Sequence, residues 1–193
     1  MFAFNPPQFV IDFVAGVGPV FVVALLGALV TLAALLMLVP NAGRMGLIDR
    51  PSARKRHDKP TPMVGGLAVF LGLAAAISVA APLDYVSPFL TAAALFVLVG
   101  VVDDRLEISG PLRSLIQAAI VIGFLFTTSV RVADLGLGTE IPAHPGLTTL
   151  GYFFTVVALI GLVNAFNLID GLDGLSSGLA IIALSGVGAA ATL

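Results

Sequence analysis

The chain has 193 residues, of which 59% are hydrophobic and only 10% charged, with a mean hydropathy of +1.10; a water-soluble domain carries roughly 25% charged residues. A net charge of −2 gives no electrostatic case for nucleic acid as a partner. Cysteine is absent, which excludes disulfides, thiolate zinc sites and cysteine nucleophiles together. What remains is an all-α, polytopic integral membrane bundle, expected to form one membrane domain over residues 1–193. No Lys or Arg precedes Arg44, so the cationic start of a signal peptide is missing and the first apolar run reads as a retained helix.

A spanning helix needs about 20 mostly apolar residues, and six runs qualify as transmembrane helices. They lie near Pro19–Val39, Met63–Ala81, Val86–Val102, Leu115–Val130, Leu147–Asn164 and Leu175–Leu193, the third and fourth being short. Asp12, Asp84, Asp134 and Glu140 fall outside these runs. Basic residues in short loops set the orientation. Arg44, Arg50, Arg54, Lys55, Arg56, Lys59, Arg105 and Arg113 fall on one side and only Arg131 on the other. The expectation is a cytoplasmic basic face and an exterior N-terminus. Loops 40–62, 103–114 and 165–174 then lie inside, and they hold the unusual polar chemistry. His144, in the exterior stretch 131–146, reads as a solvated loop residue.

The first inner segment runs from Gly46-Leu47-Ile48-Asp49-Arg50-Pro51 through Arg54-Lys55-Arg56-His57 to Pro60-Thr61-Pro62 and Gly65-Gly66. Two readings stand. One is a turn-rich loop whose charges set topology and meet anionic headgroups. The other is a phosphate-binding loop, with cations as donors and glycines admitting a ligand to the backbone. The second segment is Asp103-Asp104-Arg105. Two carboxylates at a helix C-terminus oppose its dipole by roughly 0.3–1 kcal/mol each. Either Arg105 relieves them, or a hard cation or a positive loop does, leaving one to act as a base.

The third segment is Asn164-Ala165-Phe166-Asn167-Leu168-Ile169-Asp170-Gly171-Leu172-Asp173-Gly174. Its polar groups recur every three residues. They would eclipse in a 3₁₀ stretch and spiral by about 60° per step in an α-helix. Gly171 and Gly174 fit a break in the chain or a close ligand, Asp173 an ordinary N-cap, and Gly174 with Gly178 a helix-packing pair.

Together the three segments resemble the polyprenyl-phosphate N-acetylhexosamine-1-phosphate transferases, over roughly residues 43–185. The Arg54-Lys55-x-His57 pattern favours this branch over the related phospho-N-acetylmuramoyl-pentapeptide translocases. The resemblance implies a multi-pass enzyme of the bacterial inner membrane. Such an enzyme moves a sugar 1-phosphate, GlcNAc-1-phosphate by default, from a UDP-N-acetylhexosamine to a polyprenyl phosphate such as undecaprenyl phosphate. It releases UMP and uses magnesium, with manganese as the alternative. It further implies Asn167 as a magnesium ligand, and Asp103 and Asp104 beside the lipid phosphate, one taking its proton. Asp170 and Asp173 would orient the diphosphate–metal unit or the nucleotide. Arg54, Lys55, His57 and Asn164 would bind substrate.

The sequence departs from the family in one respect. The later Phe-Met-Gly-Asp-x-Gly-Ser and His-rich segments do not occur in these 193 residues. The chain is therefore expected to represent the N-terminal part of the fold and to be inactive alone. Competing classes are a non-catalytic membrane fragment with vestigial motifs, a transporter and a phosphatidyl-transferring alcohol phosphotransferase. A transporter would place ionisable groups at mid-membrane, and the spaced aspartate motif of the last class is absent.

Overall fold

Each apolar run forms a helix. The computed structural model describes residues 8–49, 60–128, 130–132, 145–169 and 174–190. Their order is α1 (Gln8–Leu38), a 3₁₀ turn (Val39–Asn41), α2 (Ala42–Met45), β1 (Ile48–Asp49), β2 (Thr61–Pro62), α3 (Gly65–Ala80), α4 (Leu83–Leu106), α5 (Gly110–Thr128), α6 (Pro145–Ile169) and α7 (Leu175–Ala190). Four stretches are long and apolar enough to cross a bilayer: Gly18–Met45, Leu83–Leu106, Gly110–Thr128 and Thr149–Ile169. The described lengths of α3 and α7, 16 residues each, fall short of the usual 20. The apolar surface is largely outward-facing, as in Phe21, Leu36, Leu98, Phe126 and Ile182, which suits lipid as the solvent.

The helices overrun the apolar runs at their polar ends. α1 takes in Asp12, and α4 takes in Asp84 in its first turn and Asp103 and Asp104 in its last. An acidic group in a first turn is favoured by the helix dipole, so Asp84 belongs to the helix rather than to the preceding loop. The inner loop expected over 103–114 shrinks to three residues between α4 and α5.

The chain divides into two compact units, Met1–Ile116 and Gln117–Leu193. In the first, α1 and α3 meet through small residues. Ala68, Gly72 and Ala76 recur every fourth position on α3 and are buried, and Gly72 and Ala76 lie against Gly27 and Thr31 of α1. A Cβ on Gly72 would run into the Thr31 hydroxyl and the Gly27 carbonyl oxygen. A Cβ on Gly27 would stand 3.2 Å from that of Ala76 and 3.3 Å from the Gly72 carbonyl oxygen. Such small-residue seams let backbones approach closely where lipid offers no hydrophobic drive.

At one end of this unit a compact core forms from Ala42, Leu47 and Val64, with Leu38, Met45, Ile48 and Val101 packed on it. The strands β1 and β2 pair antiparallel, Ile48 opposite Pro62 and Asp49 opposite Thr61. Met63 N–H extends the pairing to the Leu47 carbonyl oxygen at 2.9 Å. In the second unit, α5 and α6 are linked by polar side chains, described below.

Candidate functional site

The first segment is organised by its glycine. Gly46 ends α2 in the left-handed conformation, φ +68°, with its N–H toward the carbonyl oxygens of Ala42 and Gly43. Only glycine adopts this region at little cost. The turn sends Leu47 into the core, where it is fully buried, and its N–H returns to Ala42 O at 3.0 Å. The ribbon of β1 and β2 therefore ties together the chain on either side of the basic run. Arg54, Lys55 and His57 lie outside the described residues. Gly65 and Gly66 form the exposed first turn of α3, and no atom of the described residues stands within 4 Å of where a Cβ would lie.

The second segment is anchored on the same core. Val101 packs against the Leu47 cluster, and the Arg105 guanidinium donates to the Met45 carbonyl oxygen at the end of α2. The structure thus brings Asp103-Asp104-Arg105 against the base of the basic loop. Arg113, from the first turn of α5, donates through Nη1 to Asp103 Oδ2 at 2.7 Å; the two side chains are 28% and 19% exposed. Arg113 is therefore the group that relieves the Asp103 carboxylate at its unfavourable helix end. It counted in the sequence only toward topology. The signal was its spacing, ten residues after Asp103 across a short turn.

That turn depends on Glu107. It takes the left-handed conformation, φ +49°, and its N–H caps Asp103 O at 2.8 Å. A non-glycine residue there carries strain of order 1 kcal/mol. Adjacent helical residues point about 100° apart, so Asp103 and Asp104 present to different directions. Asp103 is half-buried against Arg113, and Asp104 is exposed.

In the third segment, α6 remains α-helical through Asn164 and Asn167 to Ile169, so the two amides spiral rather than eclipse. Asn164 donates both protons of its amide, to Gln117 Oε1 of α5 and to Ile160 O, each at 2.9 Å. Gln117 is 5% exposed. The geometry thus gives Asn164 a clasp between α5 and α6, and its buried partner is a residue the sequence reading did not single out. Asn167, one turn nearer the helix end, is exposed. Asp170, Gly171 and Asp173 lie outside the described residues, as does His144. Gly174 takes φ +79° immediately before α7, where a break in the chain was expected. Among the described residues, none stands within 4 Å of where a Cβ on Gly174 or Gly178 would lie.

The profile of glycosyl transferase family 4 matches residues 86–193, which takes in the Asp-Asp-Arg turn and the whole Asn/Asp segment. The chain belongs to this family. Among curated family members, the undecaprenyl-phosphate alpha-N-acetylglucosaminyl 1-phosphate transferase of Escherichia coli K12 is 35% identical over 154 residues, 76% of this chain and 40% of that protein. The corresponding protein of Salmonella typhi is 36% identical over 149 residues, 75% of this chain and 40% of its own length. A probable undecaprenyl-phosphate N-acetylglucosaminyl 1-phosphate transferase of Bacillus subtilis is 35% identical over 175 residues, 85% of this chain and 46% of its own. The chain thus spans less than half the length of these family members. No solved structure matches it.

Proposed function

We propose that this chain supplies the lipid-phosphate end of an enzyme that transfers N-acetylglucosamine 1-phosphate from a UDP-sugar to undecaprenyl phosphate at the cytoplasmic face of the bacterial inner membrane. The carrying observation is the docking of Asp103-Asp104-Arg105 onto the Leu47 core at the base of the basic loop. Eight of the nine Lys and Arg residues fall in inner loops on the positive-inside reading. A lipid phosphate sits at headgroup level, where these helix ends emerge, and the nucleotide sugar is cytosolic.

The reaction is a displacement at phosphorus. An oxygen of the lipid phosphate attacks the phosphorus that carries the sugar, a new P–O–P bond forms, and the bond to UMP breaks. Two anionic reactants must be brought together, so positioning and charge neutralisation dominate. Arg54 and Lys55 supply cationic donors to phosphate oxygens, and His57 a ring N–H. The first-turn N–H groups of α3 at Gly65-Gly66, which no helical carbonyl accepts, are suited to the same anions.

Arg113 holds one oxygen of Asp103 and so fixes the rotamer of that carboxylate. Either Asp103 or the exposed Asp104 would take the proton of a protonated lipid phosphate. Asn167 stands exposed at the end of α6, and Asp170 and Asp173 follow it in sequence.

This donor set fits a hard cation. It is oxygen only, and magnesium needs few protein ligands because it keeps several waters. Among the described residues no three His, Cys, Asp or Glu side chains cluster as a metal cage. Asn167, with Asp170 or Asp173, would hold the ion, which supplies charge neutralisation on the diphosphate when bound.

Because the chain covers 40–46% of its relatives' length, we expect the 193 residues alone to be inactive. The test is UMP release from UDP-GlcNAc in membranes that co-express the C-terminal part of a family member. Release should require undecaprenyl phosphate, cease with EDTA and return with magnesium. Asp103→Asn and Asp170→Asn should each lower the rate by about 10²–10⁴-fold, the range for a lost acid–base or positioning group, with normal membrane insertion. Near-normal turnover of either variant would refute its assignment. Release by the 193 residues alone would refute the claim of inactivity.

A further inference from the structure

The second unit holds a cavity the transfer chemistry does not use. It has a volume of about 590 Å³ and lies between the later half of α5 (Ile122, Leu125, Phe126) and the earlier half of α6 (Thr149, Tyr152, Phe153, Val156). Val156 lies eleven residues before Asn167, roughly 16 Å along the helix at 1.5 Å per residue. The cavity therefore belongs to the membrane half away from the Asn/Asp segment. Its lining is apolar and aromatic apart from the Thr149 hydroxyl and the Tyr152 phenol.

The rim is built and cationic. Thr155, buried on α6, accepts the Val132 N–H at 2.9 Å and donates to Gly151 O at 2.7 Å. This bond pins the chain just after α5 against α6. It sets the adjacent Arg131 guanidinium over the Tyr152 ring, 5.7 Å from its centroid, in cation–π range. Tyr152 is thus both a wall of the cavity and the seat of the one basic residue outside the inner loops. A cation fixed by an aromatic face keeps N–H donors for an anion.

We propose that this groove binds an anionic glycerophospholipid, with one acyl chain between α5 and α6 and the phosphate on Arg131. A neutral lipid could fill the apolar part but would bring no anion to Arg131, which has no carboxylate partner among the described residues. The site is independent of the reading of the transfer chemistry, since it uses none of the residues assigned there.

The chain has no tryptophan, so Phe126→Trp places a single fluorophore on the groove at a side chain that is 85% exposed and tolerant of exchange. The purified 193-residue protein would be reconstituted with brominated phosphatidylglycerol or brominated phosphatidylcholine, and quenching compared. The site should prefer phosphatidylglycerol by about fivefold, the gain from one basic residue near an anionic headgroup. Arg131→Gln should bring the preference to about one, and Arg131→Lys should retain most of it. A second probe, Phe153→Trp, reads the same groove should the first fold poorly. Phe21→Trp on α1, outside the groove, should show no preference. Equal quenching by both lipids at the groove, or a preference that survives Arg131→Gln, overturns the proposal. Absence of quenching by either lipid also overturns it, because the groove is then covered by protein.

Discussion

The α1–α3 pair and the α5–α6 pair solve the same problem by opposite means. Both join two apolar helices in a solvent that gives them no reason to associate. α1 and α3 use an absence of side chain: Gly27 and Gly72 let the backbones approach until a single added carbon at Gly72 would meet both a hydroxyl and a carbonyl oxygen. α5 and α6 use side-chain hydrogen bonds, Gln117 with Asn164 and Thr155 with the Val132 N–H, and leave a cavity beside them. The first contact is continuous van der Waals surface and cannot yield locally. The second is held at points, so the space alongside is open to a ligand. Rigidity supports the Leu47 core and the Asp103 turn in one unit, and openness accompanies the groove in the other.

The comparison breaks most directly at Gly72. Gly72→Leu should separate α1 from α3 and cost about 3 kcal/mol, the upper end for overpacking, because one of the two colliding groups is backbone and cannot rotate away. The midpoint of thermal unfolding in detergent would register this as a large fall, with Gly72→Ala intermediate. An unchanged midpoint for Gly72→Leu would mean that the seam is not a tight contact. The same substitution at Gly123 of α5, where no described residue stands within 4 Å of an added Cβ, should have little effect.

How far these features could be read from the sequence follows from their physical origin. The helices were legible because burial in lipid demands long apolar runs, and α4 and α6 differ from expectation by running a few residues past those runs at each end. The Asp-Asp-Arg and Asn/Asp segments stand out in the sequence because chemically costly polar residues are grouped there beside apolar runs. Membership of glycosyl transferase family 4 was legible for the same reason. What could not be read was pairing. Arg113 looks like any other inner-loop cation until a three-residue turn, with Glu107 at φ +49°, folds it onto Asp103. Gln117 is one polar residue in an apolar helix, and its partner lies 47 residues away. Ala68, Gly72 and Ala76 carry a visible small-residue spacing, yet alanine and glycine are so common in membrane helices that the spacing does not say which helix will face it.

The clasp of Gln117 sharpens the contrast at intermediate size. Gln117→Leu keeps the volume and removes the acceptor of Asn164, whose amide retains Ile160 O. Interhelical hydrogen bonds of this kind contribute about 0.6–2 kcal/mol in membranes. The expected loss is therefore about 1 kcal/mol, well below that of Gly72→Leu. A double-mutant cycle with Asn164→Leu should return most of that value as coupling. A coupling near zero would show that the two amides merely coexist. The clasp also bears on the proposed chemistry, because Asn167 lies one turn beyond Asn164 on the same helix. Loosening α6 should therefore raise the magnesium concentration needed for half-maximal UMP release, while a purely structural loss would lower the yield of folded protein and leave that concentration unchanged.

The smallest effect is expected at Thr155. Thr155→Val preserves shape but removes both the acceptor for the Val132 N–H and the bond to Gly151 O. Thr155 is buried, 6% exposed, and the average worth of a side-chain hydrogen bond between membrane helices is about 0.6 kcal/mol. Global unfolding would scarcely register it, whereas hydrogen exchange at Val132 should. Loss of the bond should speed exchange of that amide about threefold, the equivalent of 0.6 kcal/mol, and leave the amides of α1 and α3 untouched. It should also weaken the lipid preference at Arg131, because the chain that carries this residue is no longer pinned against Tyr152. If Thr155→Val left both the exchange rate and the lipid preference as they were, the rim of the groove would be held by something other than this hydrogen bond. The view of α5 and α6 as a pair joined at separate polar points would then lose its second point.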